Sequence, residues 1–336
     1  MGALYTFDKP MQVTDYHTGV TNSVSTRAPF LALLRAGPEP RNWKDTWAVA
    51  ELPTTINPVA GEGVDKTDGF GSSVPFQLEG ICEIFRSMGY QVTEESELFK
   101  AAYETGSSTA RAQAKDAQDL MLSIEKILLS AQPARDRGTG VERLTRGAFE
   151  WMSPTAQTFL PVPDDLRPTA AQYSTAALSA YNEAAFIAQG QAAALQVNDT
   201  VDLMGYVGLK LKQAMSLFNY KVDITATLGD TRQAAVQPDK VSMMVDFFEY
   251  DWGMVKTVWM PRLLCDYSSD TLADGEHSSE SGLFLNMRLW EGGWKQRLTH
   301  NPVDSSGGGG KRGFHKAIMR LTCKNPMGQF ALAPAT

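Results

Sequence analysis

Residues 74–97, VPFQLEGICEIFRSMGYQVTEESE, decide how this chain folds. Positions 74–92 read as strand, with Phe76, Leu78, Ile81, Ile84 and Phe85 as the apolar members of a run bounded by turn residues. Thr93 then offers a helix N-cap. Glu94, Glu95 and Glu97 follow in the first turn, where carboxylates complement the helix dipole. The chain therefore passes from an extended element straight into a helix.

Working outward in both directions gives the plan of the molecule. Downstream, a helical pattern runs to Gln132 and stops at Pro133. Ala110, Ala117, Met121, Ile124, Leu128 and Ala131 form one apolar stripe. Unbroken, such a helix spans about 55 Å; Gly106, Ser107 and Ser108 are expected to interrupt it. Upstream, residues 53–73 are a Gly- and Pro-rich loop, and residues 41–52 (RNWKDTWAVAEL) alternate as a second strand with Trp43, Trp47 and Val49 on one face. Two strand regions around a loop of about twenty residues predict a long hairpin, and loops of that length usually carry function. Before it, Gly37-Pro38-Glu39-Pro40 is a break, and the first 36 residues read as an extended arm relieved by one short apolar turn or helix at 28–36 (APFLALLRA).

The second half is expected to begin with a short amphipathic piece ending at Met152 and a Pro-rich loop over 154–168. Thr169 is read as the cap of a helix over 170–195, and Asp199 or Thr200 as the start of another reaching Phe218. Strands are expected at 221–228, 240–250, 253–260, 282–290 and 313–323, with a polar loop at 268–281 and a flexible run at 305–310. The fold class is α+β.

Composition narrows the function. A chain of 336 residues with 43% hydrophobic residues has material for about two domains. Its net charge of −7 argues against a protein that wraps nucleic acid, which ordinarily carries a basic surplus. Cys82, Cys265 and Cys323 form no CxxC pair, so reduced thiols are expected rather than a disulfide framework or zinc site. No apolar run approaches the length of a membrane span.

Catalytic patterns are missing from the sequence. SSGGGGKR at 305–312 lacks the first Gly and the final Ser or Thr of a phosphate loop. His17, His277, His300 and His315 show no i, i+4 spacing, and His277 reads as solvated within a polar loop. The aromatic run at 246–253 is interleaved with Asp246, Glu249 and Asp251, which disfavours stacking on nucleic acid and favours packing.

The order of arm, hairpin, acidic-capped long helix, helical region and strands resembles the major capsid protein of tailed bacteriophages, the Hong Kong 97-type fold. The matching pieces are residues 25–34 (STRAPFLALL), 41–52 and 74–92, 94–132, 138–152 (GTGVERLTRGAFEWM), 250–262 (YDWGMVKTVWMPR), 282–298 and 312–327. The resemblance implies an N-terminal arm over 1–36, an extended loop over 37–92, a spine helix and first part of a peripheral domain over 93–153, an axial domain over 154–260, and the rest of the peripheral domain over 261–336. It implies a structural, non-enzymatic protein without cofactors that self-assembles into hexamers and pentamers of an icosahedral virion head. The head would enclose double-stranded DNA without reading its sequence.

Implied partners are copies of the chain, a separate scaffolding protein, a portal and decoration proteins, without a membrane; assembly would occur in the host bacterial cytoplasm. Lys66 lies near the expected loop tip, but nothing in the sequence supports a covalent crosslink. The residues expected to contact neighbouring subunits are Arg27, Phe30 and Leu34 in the arm, and Trp43, Trp47, Phe76, Leu78 and Phe85 in the loop. The alternatives are an encapsulin-like compartment shell and, less favoured, a soluble enzyme with an unrecognised site.

Overall fold

The computed structural model describes residues 28–50, 75–98, 107–139, 141–216, 218, 247–260, 279–303 and 310–333. In chain order the elements are α1 (Pro29–Leu33), β1 (Arg35–Ala36), β2 (Lys44–Val49), β3 (Phe76–Ile81), β4 (Glu83–Arg86), β5 (Tyr90–Val92), α2 (Glu94–Leu98) and α3 (Ser108–Leu128). There follow α4 (Ala148–Met152), β6 (Tyr173–Ser174), α5 (Glu183–Val197), β7 (Val201–Val207), α6 (Leu209–Ser216), β8 (Phe247–Tyr250) and β9 (Gly253–Trp259). β10 (Gly282–Leu285), β11 (Trp290–Val303), β12 (Lys311–Cys323) and β13 (Phe330–Leu332) complete the set. The expected strand at 221–228, most of the loop at 268–281, most of the run at 305–310, and Lys66, Cys265, His17 and His277 lie outside the described residues.

The mixed helix-and-sheet class follows. Strands fall into a two-stranded ladder of β2 and β3, a sheet ordered β1-β11-β12-β4 with β5 also on β12, and a six-stranded sheet ordered β6-β13-β10-β7-β9-β8. The chain divides into two compact units. One comprises Met1–Ala32, Ile84–Ile124 and Gln296–Ile318; the other comprises Leu33–Glu83, Glu125–Lys295 and Met319–Thr336. Each is built from three segments far apart in sequence, so positions 92, 153 and 260 are not boundaries of these units.

In the first unit, the decisive stretch behaves differently from its strand-like reading. β5 leaves the hairpin and pairs antiparallel with β12, Tyr90 opposite Gly313 and Val92 opposite Lys311. Thr93 caps α2 as expected, its hydroxyl accepting the Ser96 N–H at 3.3 Å. α3 is rich in Ala, Gln, Lys and Leu, which lose little freedom in a helix. Its buried face keeps Ile124 and Leu128 of the expected stripe but is turned from it in the N-terminal half. Thr109, Asp116, Leu120 and Ile124 are buried, whereas Ala110 is exposed.

A buried carboxylate explains the rotation. Asp116 accepts the Ser87 hydroxyl at 2.6 Å and the Gly89 N–H at 3.1 Å, and pairs with His315 Nδ1 at 2.7 Å. Beside it Gln113 donates to the Tyr90 hydroxyl at 2.7 Å, and that hydroxyl lies 2.8 Å from His300 Nε2. Gly313 is required here, because a Cβ would stand 2.6 Å from His300 Nε2. Burial alone would raise the Asp116 carboxyl, but the hydrogen bonds from Ser87 and His315 together outweigh it and hold the group below its ordinary value. A depressed carboxylate stabilises the fold above its unfolded pKa and stops doing so as pH falls through the folded one. Asp116→Ala should therefore cost about 2 kcal/mol at neutral pH by orphaning buried donors. The penalty should shrink in acid. Melting curves from neutral pH to pH ~3 test both signs; an acid-independent penalty contradicts the assignment.

In the second unit, two helical expectations give way. Thr169 caps no helix: its N–H and hydroxyl both donate to Gln172 Oε1, at 2.6 and 3.0 Å. The helix begins instead at Glu183, where Asn182 accepts the Ala185 N–H at 2.9 Å, and it ends at Asn198 in the left-handed region (φ 58°). The first part of the segment read as a third helix is β7. Val201, Leu203 and Val207 are buried on its core face, and the strand pairs parallel with β9 and antiparallel with β10. Asp199 caps only a local turn, accepting the Thr200 N–H at 2.7 Å. Only Leu209–Ser216 of the expected helix is helical.

The core of this unit is aromatic. Phe186 of α5 meets Phe218, Phe248, Tyr250, Trp252, Phe284 and Phe330, with ring centroids 5.3–6.0 Å away. The acidic interleaving seen in the sequence is thus explained by alternation: Phe248 and Tyr250 turn inward while Glu249 turns out.

Candidate subunit interface

The β2–β3 ladder runs from Lys44 opposite Ile81 to Val49 opposite Phe76. Its two faces differ as alternation demands. Lys44, Thr46, Ala48 and Gln77 are exposed, whereas Trp47 and Val49 are half-buried and Leu78 and Gly80 are buried. One cross-strand ion pair, Lys44–Glu79 at 2.9 Å, lies on the outer face.

The root of this ladder is held by a cation rather than by hydrophobic contact alone. Arg320 of β12 is buried, pairs with Asp45, donates from Nε to Thr322 Oγ1 at 2.9 Å, and lies 5.6 Å from the centre of the Trp47 ring. Trp47 leans on Trp151 at 6.0 Å. Trp43 carries the Arg143 guanidinium at 4.6 Å over its ring, and Arg143 is fixed by Asp136 at 3.0 Å. The sequence reading missed Arg320; its signal was a charge inside the apolar run AIMRLTC. Removing it leaves Asp45 without its partner and Trp47 uncovered. Arg320→Met is expected to lower stability by about 2 kcal/mol and to speed amide exchange in β2 and β3; unchanged exchange there contradicts the rooting.

The expected contact residues divide into two groups. Phe30, Leu78 and Phe85 are buried within the chain at 0%, 1% and 4% exposure, so they have no surface to offer a neighbour. They are packed inside the subunit, which corrects the expectation that these three contact neighbouring subunits. Trp43 is 41% exposed, and Leu34, Trp47 and Phe76 are partly so. Arg27 lies outside the described residues. The arm itself is tied down by β1, which pairs parallel with β11, and by Lys295–Glu39 at 2.8 Å.

Chemistry elsewhere is subdued. Ser87 donates its hydroxyl to Asp116 and His315 turns Nδ1 to the same carboxylate, so the Ser87 hydroxyl faces a carboxylate rather than an imidazole base. Cys82 and Cys323 are buried, unpaired thiols. Among the described residues no helix is long and apolar enough to cross a membrane, and no cluster of His, Cys, Asp or Glu is arranged to hold a metal.

A hairpin is thus rooted by one buried arginine, the arm strand β1 lies along β11, and the long helix α3 packs behind the tight β4–β5 turn. Residues 3–333 match the SU10 major capsid protein family. The chain belongs to that family.

Solved structures agree in fold. A chain of Mycobacterium phage Bobi superposes with a TM-score of 0.56 at 10% identity, covering 100% of both chains. The capsid of Cyanophage P-SCSP1u gives 0.58 at 11% identity, over 96% of this chain and 93% of that one. The capsid of a native GTA particle gives 0.58 at 8% identity, over 96% of each. No curated protein matches the chain. The fold is therefore the Hong Kong 97-type capsid fold, and this SU10-type major capsid protein builds the head shell of a tailed-phage virion as an oligomer of itself. The encapsulin-like alternative is not favoured.

Proposed function

We propose that the subunits assemble as hexamers and pentamers that close an icosahedral head around double-stranded DNA. Assembly takes place in the bacterial cytoplasm with scaffolding, portal and decoration proteins as partners. The observation that carries this reading is the β2–β3 ladder. Among the described residues it forms a sheet of two strands, a size marginal by itself, yet it is firmly rooted at one end. Its exposed outer face is of most use when a neighbouring copy covers it.

In this reading residues 1–36 form the arm and 37–92 the extended loop, whose last strands, β4 and β5, pair into the sheet with β12. Residues 93–153 with 261–336 form the peripheral domain and 154–260 the axial domain. Arg27, Leu34, Trp43, Trp47 and Phe76 supply contacts between copies. A chain of net charge −7 neutralises few phosphates, so the genome is enclosed rather than gripped. The shell protein needs no catalysis and no cofactor.

Expression with and without a scaffolding protein, followed by electron microscopy, should show shells, capsomers or tubes. A compact monomer under every condition would overturn the proposal. Trp43→Ala should weaken association roughly thirtyfold, the effect of losing about 2 kcal/mol at a tryptophan anchor, while the melting temperature of the unassembled chain stays nearly unchanged.

A further inference from the structure

We propose that one face of the first unit's sheet is a docking surface for α2 of a second copy. The inference rests on the shell-forming reading above. Side chains of Tyr90, His300 and His315 all reach the α3 side, where they meet Gln113 and Asp116. Alternation along each strand then turns Arg312, Phe314 and Lys316 of β12, Gln91 of β5 and Arg297 and Thr299 of β11 to the opposite face. The register agrees, with Arg312 opposite Gln91 and Gly313 opposite Tyr90. On β4, Phe85 is buried while Ile84 and Arg86 are exposed.

This face therefore presents Arg86, Arg297 and Lys316 around the apolar Ile84 and Phe314. Among its described residues there is no carboxylate. That is unusual placement for a chain with 38 acidic and 31 basic residues.

The complement is carried by the same chain. α2 exposes Glu94 and Glu95, and its Leu98 is 74% exposed. Glu97 is already used, accepting the Ser107 and Thr109 hydroxyls. Copies of net charge −7 repel one another at long range, so close assembly is eased wherever a basic patch of one copy meets an acidic one of the next. An acidic turn with an adjacent leucine fits a basic face with an adjacent isoleucine and phenylalanine.

A charge-swap series on the full-length chain tests this. Arg86→Glu with Lys316→Glu should reduce the assembled fraction about tenfold or more in sedimentation velocity, as like charges face each other. Adding Glu94→Lys and Glu95→Lys to that variant should restore assembly to near the wild-type level. Circular dichroism of the unassembled variants checks that they fold, and Arg86→Gln with Lys316→Gln gives the milder, uncharged comparison. Unchanged assembly after reversal in a folded chain overturns the proposal, and so does loss of assembly that the swap fails to restore. If the unassembled wild type binds a short fluorescent DNA duplex through this face while assembly ignores the reversal, the occupant is nucleic acid and the proposal also falls. A wild-type chain that never assembles instead overturns the shell-forming reading itself, which the same sedimentation runs reveal directly.

Discussion

Phe186→Ala should destabilise the second unit by about 4 kcal/mol, the range for deleting a buried aromatic ring. Phe186 is fully buried and is the hub on which six other rings pack. Edge and tilted ring pairs add to the area they bury, so losing the hub costs more than its own transfer from water. The neighbours cannot collapse into the space, because Phe284 and Phe330 are already stacked at 4.4 Å and Gly190 leaves no room beside Trp252. A Cβ at Gly190 would stand 2.3 Å from the Trp252 ring, so α5 has no freedom to move inward. Urea unfolding followed by near-ultraviolet circular dichroism measures the effect. Phe186→Leu should recover part of the loss; a cost below about 1 kcal/mol for the alanine variant, the level of a surface site, would contradict the hub.

Glu83 should make stability fall as the pH rises. The residue opens β4, buried, where Gln132 Nε2 and the Thr145 N–H donate to its carboxylate at 2.8 and 2.9 Å. Burial raises its pKa to about 7, with the bonds from Thr145 and Gln132 only partly offsetting that rise. A folded pKa above the unfolded value means that the fold favours the protonated acid. The contribution is complete below the unfolded pKa of about 4.5 and is lost as pH climbs through about 7. A shift of that size corresponds to about 3 kcal/mol. Glu83→Gln should flatten this part of the profile and equal or exceed the wild type in stability above neutrality. Parallel pH profiles for the two proteins would rule the assignment out. Glu83 is the first residue of β4, the strand through which the hairpin continues into the sheet with β12.

Sequence reading succeeded where the information is local. The N-cap at Thr93, the strand pattern around Trp47, the punctuation at residues 37–40 and the apolar run of β12 are all set by neighbouring residues. It failed where polar side chains find distant partners. Nothing local marks Asp116 of α3 as buried, yet it is buried because Ser87, Gly89 and His315 satisfy it. Nothing local assigns Arg320 a partner, yet it ties Asp45 and Trp47 to β12. Phe30, Leu78 and Phe85 were assigned to neighbouring copies because no sequence pattern says which surface will cover an apolar side chain. Residues 201–207 read as helix because Asp199 mimics a cap, and only pairing with β9 and β10 makes them strand.

Taken alone, the sequence determined the order of parts: arm, hairpin, capped helix, then mixed helices and strands. That order rests on turn chemistry, capping and periodicity, which act over a few residues, and it sufficed to point to a capsid family. Tertiary structure decided which residues are spent within the subunit and which stay outside for other copies. Burial of a charge or a ring depends on partners tens or hundreds of positions away, as with Asp45 and Arg320, and no local pattern encodes that distance.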